Sequence, residues 1–420
     1  MKAEAAIAVG GADWREALED ALAKLPMLAE APATVATEPA QGAAAATEGE
    51  AAASIDLTLL FVSDAYGADF QSIVSEVRRR VPGGVLIGCS GQGIIGPGRE
   101  VEGRAALSLQ VFSLPGVRLT AARLTPEEVA GEAYAKVWID KLGQLRPEDV
   151  NAWLYFVDPF SVDGERLLSL LATVNRGVPL IGGLASGDFQ RRSTYLFLND
   201  EVYNDGAVGV AIAGDYEVRT VVSQGAAPIG ETWTITAAHE NVIETIGMRP
   251  ALDVLTETYH SLSPELQERA RSNLLVGLAM DEYRDDFRRG DFLIRSLAGV
   301  ERQSGSIAIG AYPRVGQTIQ FQLRDPIAAD EELREMLLRT RIELGDQEPV
   351  GALLCACNGR GVGLFGEPNH DAKAVEERFQ ALPVAGFFCN GEIGPVGKTN
   401  YLHGFTASIA LILPKKAVAT

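Results

Sequence analysis

Basic residues are scarce: 37 Lys and Arg stand against 56 Asp and Glu, a formal net charge of -19 over 420 residues. So acidic a chain has no basic stripe to displace counterions from phosphates or to settle on an anionic bilayer. Nucleic acid and membrane surfaces are therefore excluded as expected partners. Cysteine is sparse too, at four residues, Cys89, Cys355, Cys357 and Cys389. They form neither a disulfide framework, nor a CxxC redox pair, nor half a zinc ribbon, so no metal or other cofactor is expected. Long apolar runs are also missing. "ASIALIL" (407–413) is far below the ~18 residues that span a bilayer. The opening "MKAEAAIAVGGADWREALED" has too short an apolar patch, wrongly flanked, for a signal peptide. Reduced thiols in a cytoplasmic setting are the expectation.

What is present is repetition. "LTLLFVSDAYGAD" (57–69), "AWLYFVDPFSVDG" (152–164) and "ALLCACNGRGVGL" (352–364) each read as a short apolar strand ending in a Gly/Asp/Asn-rich turn. A helix follows each. The first sets Phe70, Ile73, Val74, Val77 and Val81 on one face, and the second Leu167, Leu168, Leu171 and Val174. The third uses Val375, Phe379 and Leu382, with Asp371 placed to cap its start. Then come a proline, a second apolar strand and a small-polar-glycine-polar step: "PGGVLIGCSGQ", "PLIGGLASGD" and "PVAGFFCNGE". Proline-to-glycine spacings of nine, eight and eight align Cys89-Ser90-Gly91-Gln92 with Ala185-Ser186-Gly187-Asp188 and Cys389-Asn390-Gly391-Glu392. A return strand closes each copy.

The unit is strand, helix, strand, turn, strand. Its fold class is α/β, two domains with mixed β-sheets built from these repeated units and helices packed on the sheets. The expected domains are 1–235 and 236–420, divided in the stretch 223–247. Residues 5–25 read as a strand and helix that join the first unit. Residues 29–54, Ala/Glu/Thr/Pro-rich and without period, read as a disordered insertion loop. Residues 272–325 alternate short strands and turns, and 329–344 form a helix with acids first and arginines last.

"LLFVSDAYGADFQSIVSEVRRRVPGGVLIGCSGQGIIG" resembles the N-terminal FIST domain. "FLIRSLAGVERQSGSIAIGAYPRVGQTIQFQLRD" and "PVAGFFCNGEIGPVGKTNYLHGFTASIAL" are similar to the C-terminal one. The resemblance implies a small-ligand sensory module for amino acids or related metabolites, often fused to signalling output domains. No output domain or membrane anchor is expected in this chain, so the implied signalling partner would act in trans. The family has no established catalytic residues to carry across.

The residues themselves nominate a ligand set. Lys398 and Arg360 suit a ligand carboxylate, Arg360 lying just past a strand's carboxyl end where open α/β sheets hold ligands. Asp64 and Asp158 follow the other two strands and suit an ammonium, turn-capping being the alternative. Asn390 and Glu392 of the glycine turn and His403 of "LHGFT" complete the set. Glu392 and His403 also read as backbone hydrogen-bonders, and as an acid/base pair if the return strand brings them together. The alternative functions are an enzyme working through Cys389, Glu392 and His403, and a ligand-free adaptor. His239, His260 and His370 read as solvent or cap residues, and the cysteines as buried packing.

Overall fold

The computed structural model describes residues 1–29, 54–131, 134–188, 190–284, 286–287 and 289–416. The Ala-rich stretch read as a disordered insertion lies, apart from its end residues, outside them. Among the described residues no helix is long and apolar enough to cross a membrane.

Each of the three units builds one six-stranded sheet, and the three orders are the same. In the first, Lys2–Val9 pairs antiparallel with Ala106–Ser113, which pairs with Leu57–Ser63, which runs parallel to Val85–Gly91. In the second the series is Val117–Leu124, Ala207–Gly214, Val150–Val157 and Leu180–Leu184. In the third it is Tyr216–Ser223, Ala407–Pro414, Gly351–Cys357 and Val384–Cys389. The parallel pair exists because a helix crosses between its strands: Phe70–Arg80, Gly164–Val174 and His370–Arg378. Phe70, Ile73, Val74 and Val77 are buried as their spacing predicts, and so are Leu167, Leu168 and Leu171.

The remaining two strands of each sheet come from another unit. Leu196–Leu198 and Glu201–Tyr203, from the second unit, extend the first sheet. Glu392–Val396 and Thr399–His403, from the third, extend the second. Gly93–Gly96 and Arg99–Glu102, from the first, extend the third. This cyclic exchange of hairpins interlocks the units in a pseudo-threefold ring. The inner sheet faces share one core, where the rings of Phe61, Phe156 and Phe387, one per unit, meet with centroids 5.3, 5.1 and 5.6 Å apart.

Residues 226–324 form a separate all-antiparallel layer of seven strands. The long strand Ala226–His239 pairs with Thr318–Arg324 at one end and Val242–Ile246 at the other, so the sheet closes into a barrel. The barrel is inserted into the third unit, between Tyr216–Ser223 and the helix Pro326–Leu344, whose Leu333, Leu337 and Leu344 pack on that unit's outer face. Tyr216–Ser223, which precedes residue 235, thus pairs with a strand near the C-terminus.

The corner alignment expected from the proline spacing needs correction in the first copy. Gly88, Gly182 and Gly386 sit opposite Leu60, Tyr155 and Leu354, where a Cβ would stand only 1.7, 1.8 and 1.8 Å from the partner carbonyl oxygen. Only glycine fits there. Counted from these anchors, the hairpins pair Phe197 with Gly88, Ile393 with Gly182 and Ile95 with Gly386. Gly93-Ile94-Ile95-Gly96-Pro97 therefore matches Gly391-Glu392-Ile393-Gly394-Pro395. The first copy is displaced by two because Gly83 and Gly84, both at positive φ, lengthen its turn after the proline. Glu392 consequently matches Ile94 rather than Gln92, and in hairpin register it matches Leu196, because the second unit's hairpin begins beyond Asp188.

Candidate functional site

The third unit's corner carries most of the chemistry. Cys357 and Cys389 are partners across the parallel pair, and Glu392 faces His403 across its own hairpin. Side chains directly opposite one another lie on the same face of the sheet. Glu392 is fully buried: Oε2 accepts from Thr406 N at 3.0 Å, and the Cys389 thiol lies 3.2 Å from Oε1. Burial pushes its carboxyl up to about 8, against the hydrogen bonds that favour the anion, so it is neutral around pH 7. The hydrogen bonds accommodate the extra proton. Cys389 has one S–H and also reaches Ala356 O at 3.3 Å, which leaves its sulfur free to accept from the carboxylic O–H.

The thiols are not poised as nucleophiles. Burial, reinforced by Glu392, raises Cys355 and Cys389 well above the ordinary thiol range and pushes Cys357 up to about 12. His403 does not serve as their base. Its Nε2 donates to Gly394 O at 3.0 Å, and burial, helped by the nearby Arg295 cation, brings it down to about 4, so the ring is neutral. Iodoacetamide on the native protein at mildly alkaline pH should label Cys357 first, because it is partly exposed and borders a cavity, and the buried Cys89, Cys355 and Cys389 only after denaturation. Mass spectrometry of the alkylated peptides checks this.

That cavity, of about 270 Å³, lies between the barrel and the second and third units. Its polar wall is Asn390, His403 and Cys357 from the third unit, Arg295 and Ser296 from the barrel, and Glu165 from the second unit's helix. Arg295 is buried and gives one N–H to Glu165 Oε1 at 2.7 Å and another to Ile294 O at 3.0 Å. Asn390 is held by Asn358, which donates to its Oδ1 at 2.8 Å, and by its own bond to Ala185 O at 3.0 Å. Arg324 ends a barrel strand beside this wall, half-buried and 5.6 Å from the Phe405 ring, with no carboxylate within 4.0 Å among the described residues. Burial lowers its pKa, offset in part by Cys357.

The structure thus brings Asn390, Glu392 and His403 together and separates the others. Arg360 is fully buried and committed to Asp371 by two bonds of 2.6 and 2.8 Å, so its cation is not offered to a ligand. Asp371 in turn does not cap its helix; Asn369 precedes that helix at a φ of 69°. Lys398 is exposed at the far tip of its hairpin, beside Arg219 and Glu343. Asp158 is buried and accepts from the Thr194 hydroxyl. Asp64 lines a different cavity with Asp188. His370, read as a solvent or cap residue, is buried, stacks on Phe365 at 3.4 Å and contacts Asp371 and Asp330 at 2.9 Å each.

Arg295 and Arg324 were missed. A lone arginine inside the apolar run of "DFLIRSLAGV" was a usable signal, since a strand rarely buries a charge without a partner. Arg324 had none.

Comparison with known proteins settles the family. The FIST N domain model matches residues 56–249 and the FIST C domain model residues 251–395. The chain belongs to the FIST family. FIST domains are associated with signal transduction and small-ligand sensing. An uncharacterized FIST relative from Mycobacterium tuberculosis is 38% identical over 382 residues, covering 89% of this chain and 95% of that one. Another, from Mycobacterium bovis, is 36% identical over 365 residues, or 85% and 90%. An F-box/LRR-repeat protein of Arabidopsis thaliana shares 34% over 88 residues, 20% of this FIST chain and 17% of that protein. A solved cyanuric acid hydrolase structure aligns over 99% of this chain and 100% of its own, at 9% identity and a TM-score of 0.31.

Proposed function

We propose that this FIST protein is a cytoplasmic sensor that holds a small amino-acid-like metabolite in the cavity between barrel and ring, and that a separate signalling protein reads its occupancy. The observation that carries this reading is the pairing of opposite charges in one small cavity. Arg295 suits a carboxylate, and Glu165, 2.7 Å from it and only partly buried, suits an ammonium. Asn390 adds an amide. The cavity wall joins the barrel to two units of the ring, so a ligand touching all three favours one relative placement of them, and a partner that senses that placement senses the ligand. Protonated thiols and a His403 turned toward a backbone carbonyl favour binding over catalysis by Cys389.

A thermal-shift screen of amino acids and related metabolites tests it. A zwitterionic compound should raise the melting temperature in a concentration-dependent way. Arg295→Gln should weaken that compound at least about tenfold, the loss of one charge-assisted contact. No stabilising compound in a broad library, or one indifferent to Arg295→Gln, would sink the proposal.

A further inference from the structure

The hairpin exchange creates three like junctions, each where an incoming corner passes the carboxyl end of a neighbouring unit's central strand. They are filled differently. Where the first unit's hairpin enters the third sheet, the space is occupied by protein. The Arg360–Asp371 pair is buried there, and Glu100 Oε1 and Glu102 Oε1 accept from Ala372 N and Val362 N, each at 2.9 Å. Where the third unit's hairpin enters the second sheet lies the cavity of Arg295 and Asn390.

Where the second unit's hairpin enters the first sheet there is a second cavity, of about 620 Å³. The two cavities correspond at two positions of their linings. Tyr195 and Gly391 both immediately precede the first hairpin strand, and each lines its own cavity. The start of the crossing helix contributes Phe70 in one and Glu165 in the other. The polar lining differs, however. Here it comprises Asp64, Asp188, Gln92, Ser193 and Arg191.

One carboxylate in this second cavity is not compensated. Asp188 is engaged, its Oδ1 accepting from Gln190 N and Arg191 N, each at 3.0 Å, and its Oδ2 lying 3.2 Å from the Arg191 side chain. Asp64 is half-buried and has no cation within 4.0 Å among the described residues. Burial, then the nearby Asp188, raises its pKa against local hydrogen bonds from Ala65 and Ser63, and among the described residues no cation adds to those bonds. The same cavity is lined by Phe70 and Tyr195, whose ring centroids lie 4.7 Å apart. Gln92 is fixed by its bond to Gly187 O at 2.8 Å, which holds the incoming corner in place.

We infer that this junction is a second ligand site, for a small organic ammonium ion with an apolar body. Asp64 is its counter-ion, and the Phe70 and Tyr195 rings are the wall for the apolar part. The inference does not depend on what the Arg295 cavity binds. An ammonium removes the unpaired charge on Asp64, and an alcohol of the same shape does not.

The test is calorimetric titration of the full chain with phenethylamine and butylamine, against phenethyl alcohol and butanol. The amines should bind saturably and at least about tenfold more tightly than the alcohols, as one charge-assisted contact provides. Asp64→Asn should remove that advantage and Arg295→Gln should leave it. Should Asp64→Asn fail to fold, NMR contacts from phenethylamine to the Tyr195 ring of the unaltered protein locate the site. Equal affinity of amine and alcohol, amine binding unchanged in Asp64→Asn, loss of amine binding in Arg295→Gln, or no contact with Tyr195 would each overturn the inference.

Discussion

Asp371→Ala should cost the protein about 3–5 kcal/mol of unfolding free energy. Arg360 and Asp371 are both fully buried, joined at 2.6 and 2.8 Å. Removing the carboxylate leaves a guanidinium whose closest remaining contacts are the Phe405 carbonyl at 3.5 Å and the face of Phe365 at 5.2 Å, with Glu332 and Glu100 acting on it only at longer range. The pair also fastens the ring, because it fills the junction where the first unit's hairpin enters the third sheet. Urea denaturation of Asp371→Ala, Arg360→Met and the double variant Arg360→Met/Asp371→Leu checks this. The double variant should recover most of the loss, since an apolar pair needs no charge compensation. A cost under about 1 kcal/mol for Asp371→Ala would show that the pair is not what closes the junction. The pH dependence has a definite sign. Burial alone would raise Asp371, but Arg360 outweighs it and holds the carboxyl down at about 2. Its contribution is therefore complete above the unfolded carboxylate range and fades as the pH falls from there through about 2.

Local periodicity made the three units legible. The i, i+3, i+4, i+7 spacing from Phe70 to Val77 and from Leu167 to Leu171 was enough to place both crossing helices and their buried faces. The exchange of hairpins was not legible, because it depends on which sheet edge a strand meets, and the four-residue strand Gly93–Gly96 carries no record of its partner. Part of the site was legible for the same local reason. Asn390, Glu392 and His403 lie on one hairpin and its corner, so the short range of the chain already brings them together. Arg295 and Glu165 meet across 130 positions, a separation that no sequence pattern encodes. Arg360 was misread because position past a strand's end says where a side chain starts, not which charge it finds. Asp371, eleven residues on, reads from the sequence as a helix cap instead.

Glu392→Gln should flatten the pH dependence of stability around neutral pH. The folded protein holds the Glu392 proton up to about pH 8, whereas the unfolded chain releases it near the ordinary glutamate value of 4.5. Between those limits the native state binds more protons than the unfolded state, so stability falls as the pH rises, by up to about 1.4 kcal/mol per pH unit. The fall levels off above pH 8 and totals at most about 5 kcal/mol. Glutamine keeps the shape and an acceptor for Thr406 N, and its amide can donate to the Cys389 sulfur, which stands 3.2 Å from Glu392 Oε1. The variant should match the unaltered protein near pH 5 and exceed it near pH 8. Urea denaturation across that range measures the difference, and parallel slopes in the two proteins would show that Glu392 is ionised in the native state. The other two hairpins fill this position with Ile94 and Leu196, so the fold itself does not call for a carboxyl here. A residue that the architecture can replace with an aliphatic side chain, and that costs stability at neutral pH, is not required by the sheet that carries it.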